Sequence, residues 1–337
     1  MNPTKFLLPF TVFSMIVAGA VAIVGGGPRP VMAGVEVDES AEAASAASAA
    51  PRPVDLPAPI AIAGGVMYRD VRYGDAKGWG NMLDLYVPSP APTNRPTPLL
   101  VWIHGGGWDA GAKAPCNLQS ALKYGYAVAS INYRWSREAP FPAQIHDCKG
   151  AIRWLRANAK PFNIDGNRIG VWGESAGGHL AALLGTTAGV KELEGNVGGN
   201  AGVSSAAQAV VDWFGPTDIH KLVEQLKDSG LPEELTREPT LITKLLGGPI
   251  TEKAELARTA SPLTHVDPSD APFLILHGDR DPLVPLPQSK AFEEALRKAK
   301  VESRLIVIKN TGHGGAAFGT PENRKTILAF FDKHLKG

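Results

Sequence analysis

Residues 171–178 have the sequence Val-Trp-Gly-Glu-Ser-Ala-Gly-Gly, which sets Ser175 between two glycines in the pattern Gly-x-Ser-x-Gly. An apolar, strand-like segment precedes this serine, and an apolar, helix-like segment follows it. Glycines at this spacing allow a turn too tight for a residue with a Cβ atom, and such a turn holds the hydroxyl away from the backbone. The pattern therefore predicts an exposed serine nucleophile at the mouth of a parallel sheet.

Short apolar runs alternate with longer amphipathic stretches on both sides of this turn. The predicted strands are 99–103, 127–131, 169–172, 209–214, 273–276 and 304–308, and the predicted helices are 143–159, 178–184, 289–300 and 326–335. Two earlier strands, 67–73 and 82–87, are expected to form an antiparallel edge. Alternation of this kind predicts an α/β fold, in which helices cover both faces of a mostly parallel sheet.

A serine becomes a nucleophile only when a base accepts its proton and a carboxylate orients that base. His313 lies in a glycine-rich loop after the last predicted strand, and the loop after the preceding strand carries Asp279 and Asp281. Asp281, deeper in the loop, is favoured as the partner of the histidine, and Asp279 is expected to make turn hydrogen bonds. The chain order Ser, Asp, His is that of an α/β-hydrolase.

Negative charge that forms on a carbonyl oxygen needs hydrogen-bond donors. His104 and three glycines follow the strand 99–103 directly, so backbone N–H groups can point into the cleft. Gly106 and Gly107 are expected to donate, together with Ala176, the residue after the serine. His104 is expected to fix the loop by hydrogen bonds rather than to transfer protons.

The composition argues against several other classes of function. A net charge of +1 with scattered basic residues gives no electrostatic footprint for nucleic acid. No cluster of residues has the spacing of a zinc site, and no Gly-x-Gly-x-x-Gly sequence follows a strand. We therefore expect no metal and no cofactor.

The N-terminal segment has the features of an export signal. Lys5 precedes an apolar run, and small residues precede Gly34, which predicts a signal peptide over 1–33; an uncleaved membrane anchor is the alternative. Residues 34–59 are rich in Ala, Ser and Pro and are expected to form a disordered linker before a catalytic domain at 60–337. The predicted location is secreted or periplasmic.

Two further features leave alternatives open. The region 191–262 fits the alternation least well and is either a lid insertion over the site or surface decoration. Cys116 and Cys148 are the only cysteines, and in an exported protein we expect them to form a disulfide. The alternative is two unrelated buried thiols.

These motifs resemble those of the α/β-hydrolase superfamily, and within it the hormone-sensitive-lipase-like and the bacterial feruloyl-esterase-like (BD-FAE) carboxylesterases. The resemblance runs from about residue 65 to the C-terminus, and Glu174 and Trp108 fit the feruloyl-esterase-like side better. The resemblance implies a catalytic triad of Ser175, His313 and Asp281. It also implies an oxyanion hole formed by Gly106, Gly107 and Ala176.

The activity that the resemblance implies is that of a serine esterase. Its expected substrates are short-chain, acetyl or aryl esters, either small and soluble or carried by plant polysaccharide. The alternatives are an amide or peptide hydrolase on the same fold, such as an arylformamidase or a prolyl-oligopeptidase-like enzyme, and a non-catalytic surface-binding homologue.

Overall fold

The computed structural model describes residues 56–91, 93–227, 229–232 and 240–337. The predicted signal peptide and all but the last residues of the predicted linker lie outside these ranges. The first strand begins at Ile60. Among the described residues, no helix is long and apolar enough to cross a membrane.

Nine strands form one sheet in the described part of the chain. Their bounds are β1 Ile60–Ile62, β2 Gly65–Arg72, β3 Met82–Pro88, β4 Thr97–Ile103, β5 Ala127–Ile131, β6 Ile164–Glu174, β7 Ala209–Trp213, β8 Phe273–Gly278 and β9 Ser303–Ile308. Across the sheet the order is β1-β2-β3-β5-β4-β6-β7-β8-β9. The strands from β5 to β9 in this order are parallel, and β1, β2 and β3 join them in antiparallel pairs.

Helices connect the parallel strands. Their bounds are α1 Ala143–Ala157, α2 Ala176–Thr186, α3 Lys191–Glu194, α4 Ile219–Leu226, α5 Thr240–Leu246, α6 Ala254–Thr259, α7 Pro287–Lys298 and α8 Pro321–Leu335. Short 3₁₀ helices lie at Gln119–Tyr124, Lys160–Phe162, Val197–Gly199 and Pro262–His265. The predicted mostly parallel sheet with flanking helices is confirmed. The short strand β1 was not predicted.

The sheet is covered on both faces, which explains the continuous apolar runs in its central strands. All seven residues of β4 are buried. On one face Phe331 of α8 packs directly over Gly170 of β6. On the opposite face α2 lies against β7, and Phe292 of α7 packs edge to face against Phe273 of β8 with their ring centroids 5.1 Å apart.

The direction in which successive strands are added to the sheet reverses at β4. The next strand, β5, pairs with one edge of β4, and β6 pairs with the other edge. Ligands of open α/β sheets bind at such a reversal, outside the carboxyl ends of the strands. The loops after β4, β6, β8 and β9, which hold the predicted site residues, all begin at this edge.

The predicted lid region 191–262 divides into three parts. Its middle contains β7, a strand inside the sheet, so the region as a whole is not one insertion. Before β7, α3 packs against α1. After β7, α4 and α5 contribute side chains to the wall of the cavity described below.

The predicted disulfide is wrong, because both cysteines are free thiols. Cys116 packs against the core cluster on the face that α8 covers. Cys148 lies in α1, which packs beside α2 on the opposite face. The sheet therefore separates two sulfur atoms whose Cβ atoms would have to approach within about 4.5 Å to be bonded.

Two ion pairs that share Glu194 connect the segment after α2 to α1. Lys149 and Arg153 of α1 are 0% and 1% exposed, and Glu194 accepts from them at 2.8 Å and 2.9 Å. Ser205 also donates to this carboxylate, at 2.8 Å. Removal of Glu194 would leave two buried cations without a counter-charge.

We therefore expect Glu194→Ala to lower the free energy of unfolding by about 3–5 kcal/mol, because uncompensated buried charge is costly. The matched control is Glu224→Ala, since Glu224 pairs with Lys221 at 2.9 Å on the surface, where solvent screens the pair, and its removal should cost much less stability. Urea denaturation of both variants measures the difference. Equal losses would contradict this role of Glu194.

Candidate active site

Ser175 occupies a strained turn between β6 and α2. Its φ of 54° and ψ of −121° lie outside the ordinary regions for a residue with a side chain. The surrounding backbone holds this conformation: Ser175 N–H donates to the Trp213 carbonyl at 2.8 Å, and the Ser175 carbonyl accepts from His179 N–H at 2.9 Å. A Cβ atom at Gly177 would collide with the Ile103 carbonyl, so only glycine lets α2 approach β4 this closely.

Ser175, His313 and Asp281 form a continuous chain of hydrogen bonds. The Ser175 hydroxyl donates to His313 Nε2 at 2.9 Å, and His313 Nδ1–H donates to Asp281 Oδ2 at 2.7 Å. The three residues come from the loops after β6, β8 and β9. The structure thus brings together the three side chains that the sequence nominates for the triad.

The Asp281 carboxylate is fixed by its own loop. Its Oδ1 accepts from the N–H groups of Leu283 and Val284, both at 2.9 Å. Burial alone would raise the pKa of Asp281, but hydrogen bonds from His277 and His313, together with the charge of His313, lower it to about 2. Asp281 is therefore ionised at neutral pH.

The competing aspartate lies elsewhere. Asp279 is exposed, and its carboxylate accepts from Thr311 N–H at 3.3 Å, so it joins two loops rather than contacting His313. The hydrogen bond to His313 is therefore made by Asp281, the aspartate that the sequence favours, and not by Asp279.

His277, to which the sequence assigns no role, supports Asp281 from behind. Its Nε2–H donates to the Val284 carbonyl at 2.7 Å and lies 3.4 Å from Asp281 Oδ2. Its Nδ1 accepts from the Ser289 hydroxyl at 2.7 Å. Because both nitrogens are engaged, the ring is held in one orientation, and with it the turn that presents Asp281.

The glycine loop after β4 presents unpaired N–H groups. Gly106 and Gly107 have φ of 109° and 58°, the left-handed region that favours glycine. Within the described residues, the N–H groups of Gly106, Gly107 and Ala176 donate to no acceptor. All three residues border the same cavity as Ser175. Donors of this kind could stabilise an oxyanion.

His104 holds this loop in place. Its Nδ1–H donates to the Gly105 carbonyl at 2.8 Å, and its ring stacks on Tyr133 with the centroids 4.5 Å apart. The Tyr133 hydroxyl donates in turn to the His104 carbonyl at 3.0 Å. Burial lowers the pKa of His104 to about 4, so the ring is neutral at pH 7. These contacts agree with the expectation that His104 fixes the loop.

Another buried histidine, His179, links the glycine loop to the helix of the nucleophile. Trp108 Nε1–H donates to His179 Nδ1 at 3.0 Å, and His179 Nε2–H donates to the Ala260 carbonyl at 2.6 Å. Burial lowers the pKa of His179 to about 4. The sequence assigned His179 no chemistry, although its position four residues after Ser175, one turn along α2, is the signal that could have indicated it.

Ser175 and His313 open into a cavity of about 840 Å³. The glycine loop and Trp102 contribute to its wall. Leucine and isoleucine side chains from the region after β7 also line it: Leu222, Leu226, Leu231, Leu241 and Ile242. This volume lies within the range of about 300–1,000 Å³ that is usual for small-molecule sites. No group of described residues could hold a metal ion.

Comparison with known proteins supports the resemblance seen in the sequence. The BD-FAE family model matches residues 83–296, a range that includes Ser175 and Asp281 and ends before His313. Esterase LipC of Mycobacterium tuberculosis is 33% identical over 73% of this chain and 59% of its own length. This chain spans about three fifths of the length of the first curated relatives it matches.

Two solved structures give the same fold. A truncated carbohydrate esterase from gut microbiota is 31% identical with a TM-score of 0.73, covering 83% of this chain and 100% of that chain. A bifunctional GH43-CE protein of Bacteroides eggerthii is 36% identical with a TM-score of 0.71, covering 80% of this chain and 35% of that chain. The predicted α/β-hydrolase fold is confirmed.

The low pKa of Asp281 gives a prediction about stability. Because its pKa falls from 3.8 to about 2 on folding, the carboxylate stabilises the fold above pH 4, and this contribution is lost as the pH falls toward 2. The difference in free energy of unfolding between the unmodified protein and Asp281→Asn should therefore narrow by about 1 kcal/mol from pH 5 to pH 3. Chemical denaturation of both proteins at both pH values measures this difference. An equal difference in the free energy of unfolding at pH 5 and at pH 3 would contradict the lowered pKa of Asp281.

Proposed function

Because the chain belongs to the BD-FAE family, we propose that it is a serine carboxylesterase in which Ser175 is the nucleophile. The observation that carries this proposal is the unbroken hydrogen-bonded chain from Ser175 through His313 to Asp281. The strained turn at Ser175 and the esterase names of its relatives support it.

The acylation step follows from the contacts of these residues. The Ser175 Oγ attacks the carbonyl carbon of the ester, and its proton passes to His313 Nε2 along the existing hydrogen bond. The ionised Asp281 stabilises the imidazolium that results. The oxygen of the tetrahedral intermediate takes up negative charge, and the free N–H groups of Gly106, Gly107 and Ala176 are the donors proposed to stabilise it.

Collapse of this intermediate breaks the bond to the alkoxide, and His313 gives its proton to the departing alcohol. A water molecule then attacks the acyl-enzyme while His313 accepts its proton. The second tetrahedral intermediate releases the carboxylic acid and restores the Ser175 hydroxyl. Every proton transfer in this cycle uses His313, and no cofactor takes part.

The proposed substrates are short acyl or aryl esters, including acetyl or feruloyl groups carried by a saccharide. Support comes from the two similar solved structures, whose names are those of a carbohydrate esterase and a GH43-CE protein.

We also propose that the chain is exported, on the basis of the apolar segment within 1–33. N-terminal sequencing of the mature protein tests this proposal. An intact Met1 in a soluble fraction would contradict it.

The activity is tested by initial rates on p-nitrophenyl acetate, methyl ferulate and acetylated xylan, compared with formylkynurenine and a peptide anilide. An esterase hydrolyses the first group faster. Preference for formylkynurenine or the anilide would indicate amide or peptide hydrolysis on the same fold. No turnover of any of these compounds would indicate a non-catalytic homologue.

The two aspartates of the β8 loop form a matched pair for mutation. Asp281→Asn should lower kcat on p-nitrophenyl acetate by about 10⁴-fold, because an amide no longer fixes the His313 tautomer or stabilises its imidazolium. Asp279→Asn should change kcat by less than about threefold, since Asp279 is exposed and contacts Thr311 instead. The reverse pattern would assign the catalytic carboxylate to Asp279.

A further inference from the structure

A second, smaller cavity of about 270 Å³ adjoins the one that holds Ser175. The two cavities share Glu174, Gly314 and Gly315 in their walls. We call the smaller one the tryptophan pocket and define it by Trp102, Trp172, Trp213, Phe318, Glu174 and Arg324. Catalysis as described above does not use it.

The position of the tryptophan pocket relates it to the leaving group. Glu174, Gly314 and Gly315 line both cavities, so the tryptophan pocket adjoins the Ser175 cavity at the chain segments next to Ser175 and His313. His313 must reach the oxygen of the departing alcohol to protonate it. A pocket that adjoins the site at the His313 segment is therefore placed to receive the alcohol part of an ester.

The walls of the pocket combine aromatic side chains with one acidic group, Glu174, and one basic group, Arg324. The rings of Trp172 and Trp213 pack edge to face with their centroids 4.9 Å apart, and Phe318 lies 5.5 Å from Trp213. Glu174 lines the same pocket, and its carboxylate has no hydrogen bond or ion pair with any described residue. Burial raises the pKa of Glu174.

The unpartnered Glu174 carboxylate indicates which kind of alcohol suits the pocket. A purely apolar alcohol would cover this carboxylate and leave it without a donor, which is unfavourable. A hydroxyl group can donate to the carboxylate, so a hydroxylated ring suits the pocket better than an apolar ring does.

On the premise of the esterase function above, we propose that the tryptophan pocket binds the sugar ring that forms the alcohol part of the ester, with Glu174 accepting a hydrogen bond from a ring hydroxyl. The volume supports a single ring, because it lies just below the range of about 300–1,000 Å³ typical of larger ligands. Aromatic side chains cover the apolar faces of that ring. Glu174 thus sets specificity for the alcohol.

Two acetates of equal ring size test this proposal. Monoacetylated methyl β-xylopyranoside carries hydroxyl groups on its six-membered ring, and cyclohexyl acetate carries none. The unmodified protein should show a kcat/KM about 10–100-fold higher for the sugar acetate, the factor expected of a hydrogen bond to a charged group. Glu174→Gln should reduce this ratio at least about fivefold. The control Glu255→Gln, at an exposed position in α6, should leave the ratio unchanged.

A binding measurement covers the case in which Glu174→Gln does not fold. Methyl β-xylopyranoside should inhibit hydrolysis of p-nitrophenyl acetate competitively and at lower concentration than cyclohexanol does. Equal kcat/KM values for the two acetates, an unchanged ratio in Glu174→Gln, or equal inhibition by the two alcohols would overturn the proposal while leaving the esterase function intact. Failure to hydrolyse p-nitrophenyl acetate and both ring acetates would remove the esterase function, and this proposal with it.

Discussion

The strained backbone of Ser175 is the constraint on which the site depends. A φ of 54° at a residue with a side chain costs roughly 1–3 kcal/mol and persists only where the surroundings hold it. Here β7 binds the Ser175 N–H group, α2 binds its carbonyl, and Gly177 lets that helix press against the end of β4. The hydroxyl is therefore presented at the edge where the loops of β8 and β9 deliver Asp281 and His313.

Buried histidines fix the positions of the surrounding loops relative to this turn. His104 fixes the glycine loop, His179 joins that loop to α2 through Trp108, and His277 supports the turn of Asp281. The low pKa values of His104 and His179 keep both rings neutral at pH 7, so their hydrogen bonds persist over the physiological range. Donors and carboxylate are thus held in place before a substrate binds, which is the condition for electrostatic stabilisation of a transition state.

Local sequence patterns predicted most of the fold and the three side chains that the structure joins. Continuous apolar runs identify strands covered on both faces, and each triad candidate follows such a strand. Contacts that depend on tertiary packing could not be predicted from the sequence. Trp108 and His179, which are hydrogen-bonded, are 71 residues apart in the chain. The spacing of Cys116 and Cys148 likewise does not show that they lie on opposite faces of the sheet. The region 191–262 follows no single sequence pattern, because it contains both a strand of the sheet and helices at the cavity wall.

Mass-spectrometric mapping after reaction with a fluorophosphonate measures the nucleophilicity of Ser175 most directly. A single adduct on Ser175, formed with loss of esterase activity, is the expected result. In His313→Asn the same adduct should form at least about 100-fold more slowly, since the base that accepts the serine proton is gone. An adduct on another residue, or equal rates in the two proteins, would contradict the assignment of Ser175 as a nucleophile activated by His313.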